Sequence, residues 1–210
     1  MRGRFYLAAL MAGLSAAPAG AQLASGYSGQ SGGPTEGVAD DYWYLLRQIG
    51  PCVAAGKPAQ AEAFLAAQPG SAAETRAFAQ LFGRKSNVCM RHFVSATFVR
   101  AHLRGAVAEG LYERRSGAPI AVAGTVDRDA IRTLHDFAAC YIRTGGAAAQ
   151  ALLADTQLGS QEEADAVGRL APGFKPCFPA GRTVKIDATE VRMALAEALY
   201  HSTRPVSPKS

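Results

Sequence analysis

Residues 104 to 112 read RGAVAEGLY and residues 192 to 200 read RMALAEALY, near-copies 88 positions apart in a chain of 210 residues. The same offset places Cys52 on Cys140 and Cys89 on Cys177 without a gap. It also matches Leu46 with Leu134, Leu65 with Leu153, Glu74 with Glu162, Arg104 with Arg192, Glu109 with Glu197 and Tyr112 with Tyr200. Chance supplies alanines in so alanine-rich a chain, but it does not readily supply both cysteines and a nine-residue block in one register. Self-similarity at a fixed period means one structural unit built twice. With two copies and a long period, a closed pseudo-twofold pair is expected rather than an open solenoid, which needs three or more units.

The expected organisation is a helical repeat over 39–115, a linker over 116–127 and a second helical repeat over 128–202. The fold class is mainly α, with about four helices in each repeat. DYWYLLRQIGPCV puts Leu45, Leu46, Ile49 and Val53 at helical spacing, with Asp40 or Asp41 as the cap and Pro51 a source of strain near the end. Its counterpart DRDAIRTLHDFAACYI has no proline. A short helix follows in each copy, PAQAEAFLAAQ and GAAAQALLADT, and then a third opening on Ser71 to Glu74 and on Ser160 to Glu163, both of which fit a capping box. Next, Val94, Ala96 and Phe98 alternate with polar residues, as do Val184 and Ile186, which predicts two short strands. These could pair as a small two-stranded antiparallel ribbon packed on the helices. The last helix of each unit carries the repeated block. Leu103, Val107, Gly110 and Leu111, like Val191, Leu195, Ala198 and Leu199, share a face, and small residues fill the remainder. Both copies are therefore expected near the centre of the molecule.

Cys52 and Cys89 are 37 apart, and so are Cys140 and Cys177. Four cysteines allow three connectivities. The repeat favours the pairing within each unit. No C-x-x-C, C-x-x-C-H or close ligand pair points to thiol exchange, haem attachment or zinc, so neither a metal nor a cofactor is expected.

The chain opens MRGRFYLAALMAGLSAAPAGAQ, with Arg2 and Arg4 before an apolar run and the small triplet Ala19, Gly20, Ala21. Residues 1–21 read as a secretory signal peptide, too short in its apolar run to cross a bilayer. Residues 22–38, rich in Gly and Ser, read as a flexible leader, and 203–210 as a disordered tail. Export to the periplasm or beyond, as a soluble protein without a transmembrane helix, follows, and it suits oxidised cysteines. Removing Arg2 and Arg4 leaves 20 basic against 17 acidic residues, a mild excess of about +3 that does not announce nucleic-acid binding.

Candidate site residues are few. His92, His102, His135 and His201 fall on Ala180, Glu190, Arg47 and Glu113 at the repeat offset, so none is duplicated, and no H-x-x-x-H spacing supports a metal. The recurring polar residues are Arg104 with Arg192 and the pairs Glu109 and Tyr112, Glu197 and Tyr200. A buried carboxylate beside a phenol could act as an acid or base through a raised pKa, or the pairs could be structural. Arg84, Lys85, Arg91, Arg100 and Arg104 form a basic run without an intervening acid, a possible anion-binding edge of the ribbon. The expected function is an exported cell-envelope protein with a non-catalytic binding or structural role, meeting an anionic envelope polymer or another envelope protein. The alternative is a small envelope enzyme using a Glu-Tyr pair on the last helix of a repeat.

Overall fold

The computed structural model describes residues 39–83, 88–90, 98–115, 120, 127–178 and 187–203. They are mainly α-helical, as expected: α1 (Ala39–Gly56), α2 (Pro58–Ala66), α3 (Ala72–Phe82), α4 (Arg100–Glu113), α5 (Leu134–Asp155), α6 (Gln161–Leu170) and α7 (Ala188–Ser202). Short 3-10 turns stand at Val88–Met90, Arg128–Ala130 and Ala171–Cys177. Among the described residues there is no strand, only an isolated antiparallel bridge between Ile120 and Thr203. The segments expected to form the ribbon lie almost wholly outside the described residues. Of their ends, Phe98 precedes α4, and Asp187 caps α7 by accepting a hydrogen bond from the Glu190 amide. The signal peptide, the leader, most of the linker and the tail past Thr203 are likewise outside the described residues.

The disulfides are Cys52–Cys89 and Cys140–Cys177. Each ties the first helix of its half to a 3-10 turn ahead of α4 or α7.

Helix α1 corrects one local expectation. It begins at Ala39, so Asp40 and Asp41 lie in its first turn rather than at the cap. It runs past Pro51 to Gly56, in keeping with the helical spacing of Val53. Pro51 is exposed, and the helix forgoes only the bond its missing N–H would have made to the Arg47 carbonyl. The neighbouring Gly50 is buried, and a Cβ there would stand 2.2 Å from the Ala106 carbonyl oxygen of α4. Gly110 also comes close to the Gly50 and Pro51 backbone, where an added Cβ would stand at 2.9 Å. The first and last helices of this half therefore meet backbone to backbone.

The second half has three α-helices rather than four. Lys57 separates α1 from α2, whereas Gly145, 88 positions on, lies inside α5 with φ −114° and ψ 17°. The two helices run together there across a kink. The caps of α3 and α6 are as read in the first step: Ser71 Oγ and Ser160 Oγ accept from the Glu74 and Glu163 amides, each at 3.1 Å. The return step differs from a capping box. Glu74 Oε2 accepts from the Gly70 amide at 2.9 Å and Glu163 Oε2 from the Gly159 amide at 2.7 Å, one residue before the cap. Both glycines have the positive φ that this turn demands, 76° and 78°.

These caps also correct the gapless register. By role, Glu74 corresponds to Glu163, 89 positions on, while Glu162, its partner at 88, is exposed. The extra residue enters at the end of α5. Arg104 and Arg192 still take the Leu65 and Leu153 carbonyls at offset 88, whereas the helices end at Ala66 and Asp155 at offset 89.

The interior forms two apolar clusters. One gathers α1 to α4, with Leu158, Met193 and Tyr200 from the other half; the second gathers α5 to α7, with Tyr112 and Ile120 packed against it. Helices α4 and α7 pack on each other between them and are buried on almost every side, as expected of central helices. At their crossing a Cβ on Gly105 would stand 2.4 Å from the Met193 Cβ, and Met193 is the residue 88 positions after Gly105.

Candidate functional site

Two features stand out: a polar centre where α4 meets α7, and a groove between α5 and α6.

Arg104 and Arg192 are both 1% exposed and are the largest fully buried side chains. A guanidinium carries five donors and no acceptor, so burial is tolerable only if nearly all of them are taken. Arg104 donates through Nε to Glu197 Oε1 and Oε2 at 3.1 and 3.3 Å and through Nη2 to Glu197 Oε1. Its Nη1 reaches the Phe64 and Ala67 carbonyls at 2.8 and 3.1 Å and Glu74 Oε1 at 3.3 Å, and Nη2 reaches the Leu65 carbonyl at 2.9 Å. Arg192 mirrors this. Its Nε and Nη2 donate to Glu109 Oε2 and Oε1 at 3.2 and 2.6 Å. Nη1 reaches the Leu152 carbonyl and Thr156 Oγ1, at 3.1 and 2.6 Å, and Nη2 the Leu153 and Thr156 carbonyls, both at 3.2 Å. Each arginine thus closes the C-terminal end of one helix, α2 or α5, where carbonyls lack donors and the dipole is negative. Each also binds a glutamate across the α4–α7 contact.

The arrangement bears directly on the Glu-Tyr pairs. Glu197 has its carboxylate on Arg104, with the His201 ring 3.7 Å away. Burial pushes its pKa up, but the neighbouring His201 and the hydrogen bonds and charge of Arg104 outweigh that and hold it at about 2. This is the opposite of the raised value a general acid at neutral pH would need. Glu109 gives both oxygens to Arg192. The tyrosines turn elsewhere: Tyr112 Oη accepts from Gln150 Nε2 at 2.6 Å, and Tyr200 Oη accepts from Arg115 Nη2 at 3.2 Å. Arg115 also lies over the Tyr200 ring, 4.2 Å from its centroid.

Of the basic run, only Arg100 and Arg104 are among the described residues. Arg84, Lys85 and Arg91 lie outside the described residues. Arg100 lies over the Phe78 ring, 4.0 Å from its centroid. Arg104, expected on a basic edge, is instead in the interior for the reason just given.

Of the histidines, His92 lies outside the described residues, and His135 and His201 have ring centroids 6.3 Å apart. His102 is buried. The Val99 amide donates to Tyr42 Oη at 3.1 Å, which leaves the Tyr42 hydroxyl proton to donate to His102 Nδ1 at 3.2 Å. Burial drives the His102 pKa down to about 4, opposed by the charge of Asp187, and drives Tyr42 up to about 12, opposed by the Val99 amide. His102 is therefore neutral at pH 7. No cluster of three or more potential metal ligands occurs among the described residues.

The groove has no forerunner in the sequence reading. It has a volume of about 430 Å³ and lies between the C-terminal half of α5 and the length of α6. Its apolar surface comes from Ala148, Ala151, Leu152, Ala166 and Leu170, and its polar lining from Asp155, Thr156, Glu162, Asp165 and Arg169. The three acids and Arg169 are exposed, while Leu152 and Ala166 are buried. Such a volume falls within the range of small-molecule sites, roughly 300 to 1,000 Å³. The available signal was Glu162 and Asp165, one turn apart near the start of a helix, but a solvated helix face has the same pattern.

Comparison with protein-family models, with curated proteins and with solved structures finds no match for the chain.

Proposed function

We propose that this is an exported, non-catalytic binding or structural protein of the cell envelope, made of two copies of one helical unit joined about α4 and α7. The reading is carried by the reciprocity of the central pairs. Arg104 of α4 binds Glu197 of α7, and the residues 88 positions away from each, Arg192 and Glu109, bind one another in return. Contacts of the form i to j and j to i are the mark of a twofold interface between like surfaces, and Gly105 against Met193 is where such an axis would pass. The recurring letters are then explained as the two sides of one self-complementary contact. Export rests on the N-terminal segment 1–21 together with two disulfides, and among the described residues no helix is long and apolar enough to cross a membrane.

The enzyme reading has the occupied carboxylates against it, since neither glutamate stands beside its tyrosine as a free acid–base pair. The binding reading has the α5–α6 groove in its favour. Glu109→Gln and Glu197→Gln separate the two. A structural centre predicts destabilisation by several degrees for Glu197→Gln, 2% exposed, and a smaller loss for Glu109→Gln, whose side chain is 15% exposed. Unchanged melting temperatures in both variants would remove the structural reading of the centre.

A further inference from the structure

We infer that His102 is a proton-operated latch: neutral, it fastens the first turn of α1 to the start of α4, and protonated, it lets that turn go. The latch lies away from the central arginine–glutamate pairs and does not depend on the function proposed above.

The first turn of α1 is held at few points. Asp41 and Tyr44 are exposed, Tyr44 by 54%, and buried apolar side chains anchor the helix only from Leu45 onward. Ahead of Leu45 the hold is through Tyr42 and Trp43, both partly buried and both against His102. The Trp43 ring centroid lies 5.0 Å from that of the imidazole and the Tyr42 centroid 5.9 Å, with 4.8 Å between the two aromatic rings. Trp43 also fills the space over Gly159, where an added Cβ would stand 2.5 Å from its ring, so the turn reaches the other half of the molecule.

Hydrogen bonding makes this cluster depend on one proton. Tyr42 Oη accepts from the Val99 amide and donates to His102 Nδ1, an order that works only while Nδ1 keeps its lone pair. Tyr42, pushed up to about 12, keeps its own proton throughout. Once Nδ1 is protonated, three donors converge on one oxygen. Oη can accept from both nitrogens, but its own proton then loses the acceptor it had, in a buried place. The imidazolium would also stand in the first turn of α4, at the positive end of that helix. Tyr42 faces the ring from α1 and Asp187 from the cap of α7; the charge of Asp187 favours the imidazolium, and burial outweighs it. Releasing the turn admits water to the ring and relieves the conflict. With the ring lowered from 6.5 to about 4 in the closed form, acid favours release by up to roughly 300-fold across that window.

The second half builds the same helix without the device. At the repeat offset, Tyr42, Val99 and His102 become Ala130, Asp187 and Glu190. Asp187 caps α7 locally by accepting from the Glu190 amide at 3.0 Å, whereas Val99 caps α4 with no side-chain bond and its amide relies on a hydroxyl from α1. Residues that the shared architecture requires recur in both halves; the tyrosine–histidine link does not.

The chain has a single tryptophan, Trp43, which makes the test direct. Acrylamide quenching of its fluorescence, far-UV circular dichroism and hydrogen exchange are followed on the full oxidised chain as pH falls from 6.5 to about 4. Quenching by acrylamide should rise, and protection of the amides of residues 43–46, which bond the carbonyls of the first turn, should fall at least tenfold while the far-UV signal is retained. In His102→Gln, whose amide oxygen still accepts from Tyr42, the release should vanish. Asp187→Asn keeps a capping side chain and removes the charge that favours the imidazolium, so release should move to lower pH. Dimming of Trp43 without greater acrylamide access would mean quenching by the imidazolium alone and would overturn the latch. So would release that persists in His102→Gln, or release only together with loss of the far-UV signal. Should His102→Gln not fold, an unmoved midpoint in Asp187→Asn decides against it.

Discussion

Glu74 and Glu163 do the same local job and live in different electrical surroundings. Each accepts from a left-handed glycine two residues before a helix start, but Glu74 also meets Arg104, whereas Arg192 turns its Nη1 to Thr156. Glu163 Oε1 is left buried without a hydrogen bond of ordinary geometry, with the Thr189 side chain near enough only to ease it. Burial raises the Glu163 pKa, against the pull of the Gly159 amide and the Arg192 charge. A carboxyl raised in the folded state holds its proton more tightly there, so stability falls as pH climbs from the ordinary glutamate range through the raised value. Glu163→Gln should accordingly raise the melting temperature at pH 7 and change it little at pH 4; an equal shift at both would contradict this account. Glu197 has the reverse sign. Its pKa drops from 4.5 to about 2, so its contribution is complete above pH 4.5 and is lost as pH falls toward 2. The penalty of Glu197→Gln should shrink across that window in thermal melts. His102, lowered to about 4, adds a separate loss of stability as pH falls from 6.5, where the unfolded chain takes up the proton that the buried ring refuses.

At the scale of elements, the helices are set by side-chain pattern and their separations by glycine. Gly50 and Gly110 let α1 and α4 touch through their backbones, and Gly105 makes room for Met193 of α7. Gly50→Ala would put a methyl 2.2 Å from a carbonyl oxygen, which the helices can relieve only by moving apart. A loss of about 1 to 3 kcal/mol is expected in denaturant unfolding. Gly168→Ala on α6 is the counter-test. A Cβ there meets nothing within 4 Å, so the better helix former should add roughly 0.5 to 1 kcal/mol. If both substitutions act alike, close approach is not what places α4. The central helices were legible beforehand, because Leu103, Val107 and Leu111 mark one apolar face and the alanines around them leave little reason for a solvent side. The continuation of α1 past Pro51 was legible too, since Val53 keeps the helical spacing of Leu46 and Ile49 beyond the proline; its backbone contact with α4 at the neighbouring Gly50 was not.

For the molecule as a whole, two bridges of equal span fasten the halves separately. A loop of 37 residues gives ~4 kcal/mol per bridge by chain entropy. Cys140 and Cys177 are buried in the second core, while Cys52 and Cys89 are only partly buried. Graded reduction under native conditions, followed by alkylation and peptide mapping, should therefore open Cys52–Cys89 first and Cys140–Cys177 only near global unfolding. Simultaneous opening, or reversed order, would show that exposure does not govern access. Either half still reaches into the other: Arg47 of α1 donates to the Leu158 carbonyl at 2.9 Å, and Trp43 fills the space a Cβ on Gly159 would need. Reduction of the first bridge is thus expected to loosen the α5–α6 turn as well.

Local chemistry by itself determined the helical class, the serine caps at Ser71 and Ser160 and the apolar faces of α4 and α7, because each depends on residues within a turn or two of one another. The recurrence of cysteines at one spacing was enough to single out their pairing among three. Tertiary structure alone decided the rest. That Arg104 finds Glu197, 93 positions away, and not the tyrosine beside it depends on how α4 crosses α7 and on which carbonyls the end of α2 leaves open. The extra residue in α5 and the groove are of the same kind, since both arise from how long one helix runs before the next packs against it.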